Sequence, residues 1–158
     1  MEARLDYYGA APDAVRALFG LETYLARCRM GRPLLDIVKL RASQLNGCAF
    51  CIDTQWRDAR KGGEDERRLY LLAAWRESPG FTDRERAALA WTEAVTHLSD
   101  GHVSDEVFAA VRPHFSDKEL ADLTLAVAAI NAWNWMSISF RAVPGQTSTL
   151  PRNPNSDK

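Results

Sequence analysis

Residues 40–53 read Leu-Arg-Ala-Ser-Gln-Leu-Asn-Gly-Cys-Ala-Phe-Cys-Ile-Asp, which places Cys48 and Cys51 at CxxC spacing directly after an Asn-Gly pair. Apolar residues on both sides of this pair recur at three- and four-residue intervals, and this period predicts helices. Asn46-Gly47 is a typical helix stop, so we expect one helix to end there and the next to begin near Cys48. The stretch therefore predicts two successive helices with a cysteine pair at their junction.

The position of this pair predicts redox chemistry. Unpaired amide N–H groups in the first turn of a helix carry partial positive charge, which stabilises a thiolate and lowers its pKa. Cysteines three residues apart on a helix come within disulfide reach. One cysteine could then attack an oxidant while the other converts the resulting sulfenic acid into a disulfide.

Two further side chains are candidates for the same site. At about 100° per residue, Gln55 falls on roughly the same helix face as the two cysteines. Asp36 and Ser43 share a line on the preceding helix, and Asp36 lies among apolar neighbours in the sequence. A buried carboxylate near a thiol could relay protons, with its pKa raised by loss of hydration. The simpler alternative for Asp36 is a surface carboxylate or an ion-pair partner.

A zinc half-site is the main rival interpretation of the CxxC pair, because paired cysteines also bind zinc. Such a site needs four ligands. The other candidates have no second paired spacing and are Cys28, His97, His102 and His114. We therefore predict no metal site.

Helical periodicity extends along most of the chain, and no segment alternates like a strand. Two capping boxes support it, one from Thr82 to Glu85 and the other from Ser116 to Glu119. We predict an all-α bundle of six to seven helices in a single domain, residues 1–145. The seven segments cover about 12–29, 33–46, 48–62, 64–75, 82–98, 104–115 and 116–142.

The last predicted helix is the longest and is apolar on nearly every face. Several alanines occupy its first half, and Trp133 and Trp135 stand in its second half. A helix without a polar face is buried in its own chain or against another subunit, so we predict a homo-oligomer. Residues 146–158 are rich in Pro, Asn, Ser and Thr, which predicts a flexible C-terminal tail.

Composition excludes several function classes. Twenty basic residues against 21 acidic ones give a formal net charge of −1, and no Lys/Arg block indicates nucleic-acid binding. Acidic residues near the N-terminus argue against a signal or transit peptide, and no uninterrupted apolar run approaches the roughly 18 residues of a membrane span. We expect a cytoplasmic protein.

Residues 40–53 resemble the signature of the AhpD-like family, which belongs with the carboxymuconolactone decarboxylases. A second block agrees with it, Leu-Ala-Val-Ala-Ala-Ile-Asn-Ala-Trp-Asn at 125–134, followed by residues 138–145. The resemblance covers roughly residues 10–145. It implies an all-helical bundle that assembles as a homo-oligomer, often a trimer or hexamer. We predict that no cofactor is needed.

Active members of this family reduce hydroperoxides or pass electrons to a peroxiredoxin through their CxxC pair. By resemblance, Cys51 attacks the peroxide and Cys48 resolves it. The family's proton relay uses a glutamate and a histidine, and Asp36 and Gln55 occupy those positions here. Glutamine cannot titrate, so the resemblance implies a weakened or repurposed peroxidase. Trp135 is a further departure, because relatives often carry arginine there.

Three function classes remain open from the sequence. The first is a thiol-dependent antioxidant enzyme with a hydroperoxide substrate and a thiol reductant or peroxiredoxin partner. The second is a cofactor-free lyase acting on a lactone, as in the decarboxylase branch. That branch generally does not depend on CxxC, so the cysteine pair favours the first class. The third is a non-catalytic oligomeric binding or stress-response module, and Gln55 gives this reading its weight.

Overall fold

The computed structural model describes residues 2–98 and 101–145 of the chain, and within these ranges it contains helices and no strands. Eight α-helices follow one another. They are α1 Tyr7–Ala10, α2 Pro12–Leu25, α3 Arg32–Asn46, α4 Ala49–Lys61, α5 Glu66–Leu71, α6 Asp83–Thr96, α7 Asp105–Val111 and α8 Asp117–Phe140. Short 3₁₀ turns, Leu72–Ala74 and Arg112–His114, extend α5 and α7. The predicted all-α fold is confirmed.

Helix α3 is the central element of the bundle and packs against α4, α6 and α8. Its side chains Ile37, Val38 and Leu40 are almost fully buried and meet residues of α8 such as Leu123 and Val127 in one hydrophobic core. Apolar residues at three- and four-residue spacing produce this burial, because they share one face of each helix. The cysteine junction thus lies at one end of the central helix.

Both predicted capping boxes are present. The Thr82 hydroxyl accepts a hydrogen bond from the Glu85 amide, and the Thr82 amide donates one to the Glu85 carboxylate. Ser116 and Glu119 do the same at the start of α8. These reciprocal bonds satisfy amide groups that have no partner inside the helix, and so they fix where α6 and α8 begin.

The predicted helices need corrections at the N-terminal end. Helix α1 was not predicted, because four residues are too few to show a period. It forms because the Asp6 carboxylate caps it and because Tyr7 packs on Phe140 at the end of α8. Helix α2 ends at Leu25 rather than near residue 29. The backbone after Leu25 bends out of the helix and leads to Gly31, whose φ is 79°.

By length and composition alone, helix α8 is long and apolar enough to cross a membrane. Of the apolar window in it, 44% is buried inside the fold. Its buried face packs against α3, which is the behaviour of a core helix in a bundle. The predicted tail, residues 146–158, lies outside the described residues.

Candidate functional site

The junction between α3 and α4 brings the two cysteines together as the sequence predicts. Gly47 adopts the left-handed conformation (φ 66°, ψ 28°) and ends α3, a backbone state that glycine enters without steric cost. The Cys48 amide then donates to the carbonyl oxygen of Ser43 at 3.1 Å. This tight turn places Cys48 directly at the start of α4.

Cys48 and Cys51 are joined as a disulfide, with their Cα atoms 5.3 Å apart. Cys48 is the N-cap of α4, and its Sγ atom accepts a hydrogen bond from the Cys51 amide at 3.3 Å. Cys48 and Cys51 are 2% and 3% exposed, respectively. The helix N-terminus therefore stabilises the Cys48 sulfur. Both sulfurs are shielded from solvent.

A polar seam between α3 and α8 lies beside this junction. The Asn46 side-chain amide donates to the Asn131 Oδ1 atom at 2.6 Å, and the Ser43 hydroxyl donates to the Asn134 Oδ1 atom at 3.1 Å. Asn134 is fully buried, and its Nδ2 atom has no hydrogen-bond partner among the described residues. Ser43 thus links the backbone of Cys48 to a buried amide of α8.

The seam residues of α8 were not predicted as part of the site. Asn131 and Asn134 stand three residues apart inside an otherwise apolar stretch, and this spacing puts both on the helix face that meets α3. Buried amides in an apolar helix need hydrogen-bond partners, so their spacing was the signal available in the sequence. Only the structure shows that Ser43 and Asn46 supply those partners.

Asp36 lies away from the sulfurs. Its carboxylate pairs with Arg32 at 3.5 Å, and its Oδ2 atom comes within 3.4 Å of the position that a Cβ atom on Gly62 would occupy. Gly62 is eleven residues beyond Cys51, which corresponds to about 16 Å along the axis of α4. A proton relay from Asp36 to Cys51 would have to pass through intervening groups.

Burial is the main influence on Asp36, whose side chain is 13% exposed. Loss of hydration raises the pKa of this carboxyl above its usual value, and the positive charges of Arg32 and Lys39 oppose that rise. The result is a carboxyl group that holds its proton more strongly in the folded chain than in the unfolded one.

The Asp36→Asn variant tests this protonation. Because the folded carboxyl takes up its proton at a higher pH than the unfolded one, wild-type stability rises as pH falls through the interval between the two pKa values. The variant lacks this contribution. We expect urea denaturation between pH 7 and pH 4 to show wild type gaining stability relative to Asp36→Asn. A constant difference across this range would contradict the raised pKa.

Gln55 lies on α4 one turn after Cys51 and is partly buried. Its side chain makes no hydrogen bond to the residues that the structure describes. A residue four positions after Cys51 is adjacent to it on the helix surface, so this position can influence the sulfur. The amide of glutamine, however, neither takes up nor releases a proton near neutral pH.

Cysteine, histidine and carboxylate side chains are the possible metal ligands of this chain. Within residues 2–98 and 101–145, no group of three or more His, Cys, Asp or Glu side chains is arranged to hold a metal ion. Cys28 is a free, partly buried thiol on the segment after α2. The Glu93 carboxylate pairs with Arg41 and Arg76.

Comparison with known proteins agrees with this arrangement. The sequence profile of the family described as "Carboxymuconolactone decarboxylase family" matches residues 12–94, which contain the cysteine pair. The uncharacterized protein YdfG of Bacillus subtilis is 40% identical over 139 residues, covering 88% of this chain and 95% of YdfG. These matches confirm the predicted family resemblance.

Solved structures show the same fold. The ATU0492 protein of Agrobacterium tumefaciens, of unknown function with a suggested AhpD antioxidant role, superposes with a TM-score of 0.88 at 39% identity. That match covers 92% of this chain and 99% of ATU0492. The debrominase Bmp8 superposes with a TM-score of 0.78 at 20% identity, covering 86% of this chain and 73% of Bmp8. At that identity, the likeness to Bmp8 concerns the fold alone.

Proposed function

Because the chain belongs to the carboxymuconolactone decarboxylase family and has the fold of its AhpD-like members, we propose that it is a thiol-dependent enzyme that reduces hydroperoxides. The observation that carries this proposal is the pairing of Cys48 and Cys51 at the start of α4. A sulfur at a helix N-terminus is held as a thiolate more readily than a free cysteine. The pair thus combines an activated sulfur with a partner at disulfide distance.

The proposed chemistry proceeds in two steps. The Cys51 thiolate attacks the outer oxygen of the hydroperoxide and the O–O bond breaks, which gives Cys51 sulfenic acid and an alkoxide or hydroxide that takes a proton from solvent to become the alcohol or water. The Cys48 thiolate then attacks the Cys51 sulfur, which releases water and forms the disulfide. An external thiol reductant or a peroxiredoxin partner supplies the two electrons that restore the dithiol.

The different positions of the two cysteines at the start of α4 suit these roles. When a reductant attacks the Cys51 sulfur, Cys48 departs as a thiolate that accepts the Cys51 amide hydrogen bond. A leaving thiol with a lower pKa leaves faster, so the N-cap position assists the recycling step. The same stabilisation keeps Cys48 ionised for its attack on the sulfenic acid.

Gln55 limits the first step, because it cannot accept the proton of the Cys51 thiol. The helix N-terminus assists the Cys48 sulfur directly, so the attacking Cys51 has no general base of its own, and we expect a slower peroxidase than one with a histidine at this position. Gln55 also favours one alternative, a non-catalytic oligomeric module that keeps the fold and an idle thiol pair. We place the protein in the reducing cytoplasm, where a CxxC pair is more typical of redox chemistry than of a structural disulfide.

The deciding experiment follows reduced protein by intact-mass spectrometry after addition of hydrogen peroxide or an alkyl hydroperoxide. We expect the loss of two hydrogen atoms, with the new disulfide mapped to Cys48 and Cys51, at a rate well above that of free cysteine. A rate equal to that of free cysteine would favour the non-catalytic module. Turnover of a muconolactone by a variant with both cysteines replaced by serine would favour the lyase class.

A further inference from the structure

The side-chain amide of Asn134 is a buried donor that no residue in the described part of the chain satisfies. Asn134 is 0% exposed, its Oδ1 atom bonds to the Ser43 hydroxyl, and its Nδ2 atom has no hydrogen-bond partner. A buried N–H group without a partner destabilises a fold, so such groups are rare and often serve a function. By contrast, Asn131, one turn earlier on α8, donates to the Val127 carbonyl and the Thr96 hydroxyl. The free end of Asn134 is therefore a candidate for a role in the site.

The register between α3 and α4 locates this amide relative to the cysteines. The two helices run antiparallel, because a Cβ atom on Gly62 after the end of α4 would lie 3.4 Å from Arg32 and from Asp36 near the start of α3. Ser43 is eleven residues after Arg32, and Cys51 is eleven residues before Gly62. Eleven residues are about three turns and about 16 Å of helix. Ser43 and Cys51 therefore come at about the same level, on the sides of α3 and α4 that face each other.

Helix α8 brings Asn134 to the same level. Asn134 bonds to Ser43 at 3.1 Å, and α8 packs against both α3 and α4. All three of Ser43, Cys51 and Asn134 are buried, so this level lies inside the fold. The Ser43 hydroxyl has one hydrogen and stands within reach of two acceptors, Asn134 Oδ1 and the Lys39 carbonyl oxygen at 2.8 Å. Ser43 thus anchors one end of the Asn134 amide beside Cys51 and leaves the other end free.

We propose that Asn134 donates a hydrogen bond to the Cys51 thiolate once the disulfide is reduced, and that Ser43 positions the amide for this bond. In the disulfide, the Cys51 sulfur is neutral and a weak acceptor, and the Asn134 Nδ2 atom stays without a partner. Reduction by an external thiol breaks the S–S bond, and the ionised Cys51 sulfur is then a strong, charged acceptor. The inference rests on the proposed function, in which Cys51 is the attacking sulfur. It makes Asn134 a further catalytic residue of that reaction.

The two sulfurs of the pair are stabilised from different directions in this arrangement. The Cys51 amide at the start of α4 donates to the Cys48 sulfur at 3.3 Å. Gln55, one turn after Cys51, cannot carry the positive charge that would hold a thiolate. Asn134 approaches from α8 instead, with two N–H groups that are free to donate. A neutral amide favours the ionised form of the thiol without taking up its proton, so Asn134 stabilises the nucleophile but does not replace a general base.

The first test follows the ionisation of Cys51 without any peroxide. Replacing Cys28 and Cys48 with serine leaves Cys51 as the sole thiol, and the ultraviolet absorbance of its thiolate is then measured against pH. We expect Asn134→Leu to raise the midpoint of this titration by about one pH unit, a tenfold loss, as expected for a hydrogen bond to a charged group. The matched control is Thr92→Val, which removes a fully buried hydroxyl that bonds within α6. It should leave the midpoint unchanged.

The second test measures the equilibrium between the disulfide and a glutathione redox buffer, with Cys28 replaced by serine. Because the proposed hydrogen bond forms only after reduction, the disulfide of Asn134→Leu should be about tenfold harder to reduce, which is about 30 mV for a two-electron couple. Ser43→Ala should change both measurements in the same direction but by less. It should add nothing to Asn134→Leu, because Ser43 acts through the amide.

A third measurement leaves Asn134 in place. In the protein with Cys51 as its sole thiol, the NMR signals of the Asn134 side-chain amide should shift with pH at the midpoint of Cys51 ionisation. Amide signals that do not move, or a midpoint that Asn134→Leu leaves unchanged, would overturn the proposal. A lowered midpoint would also overturn it, because Asn134 would then present its oxygen to Cys51. A raised midpoint in a protein that consumes no peroxide would support this inference and count against the proposed function.

Discussion

Replacing Cys51 with serine is expected to lower the rate of peroxide consumption to that of the remaining free thiols. Serine has the shape of cysteine, but its hydroxyl does not ionise near neutral pH, so the attacking nucleophile is lost. Cys48→Ser is expected to behave differently. It keeps the first step and lacks the second, so Cys51 should accumulate as a sulfenic acid that a dimedone probe traps. Intact-mass spectrometry distinguishes the two outcomes.

The matched control for both variants is Cys28→Ser, which makes the same substitution at the free cysteine outside the pair. It should keep the wild-type rate and the wild-type disulfide. If Cys51→Ser instead accumulates sulfenic acid on Cys48, the attacking sulfur is the one at the N-cap of α4, and the two roles are exchanged. If all three variants react like wild type, the pair does no peroxide chemistry and the proposed function fails.

Gln55→His is expected to raise peroxide consumption by about a hundred- to ten-thousandfold, the usual effect of a well-placed general base. Position 55 lies one turn after Cys51 on α4, so an imidazole there can accept the proton of the attacking thiol. A neutral imidazole is the active form, so the gain should increase as pH rises through about 6.5. Stopped-flow measurement of disulfide formation between pH 5.5 and pH 8 would show this profile.

A second histidine variant separates this effect from a general effect of added imidazole. Gln44 lies at the C-terminal end of α3 and is also partly buried, but it contacts Arg41 rather than the cysteines. Gln44→His should therefore leave the rate unchanged. An equal gain in both variants, or none in Gln55→His, would mean that position 55 does not serve Cys51.

The parts of the fold that were predictable are those with local chemical causes. Gly47 stops α3 because it can take a positive φ, and the Thr82 and Ser116 caps depend on residues three positions away. The cysteine junction follows from the same local rules. Sequence patterns within about four residues therefore located the elements and the redox pair.

The parts that were not predictable depend on tertiary contacts. Helix α1 exists because Tyr7 packs against the end of α8, 130 residues away in sequence, where its hydroxyl meets Ser137 at 3.3 Å. The spacing of Asp36 and Ser43 placed them on one line of α3, but it did not show that Arg32 and the end of α4 hold the carboxylate. Only the hydrogen bond from Ser43 in the structure shows that Asn134 belongs to the site.

The burial of both sulfurs gives the chain a size filter. A reagent must enter the packed junction of α3 and α4 before it reaches Cys48 or Cys51, since neither sulfur is open to solvent. Small oxidants such as hydrogen peroxide would pass such a barrier more easily than bulky lipid hydroperoxides. Access through the packed junction would then select the oxidant. The intrinsic reactivity of the thiols would set the reaction rate only for oxidants small enough to enter.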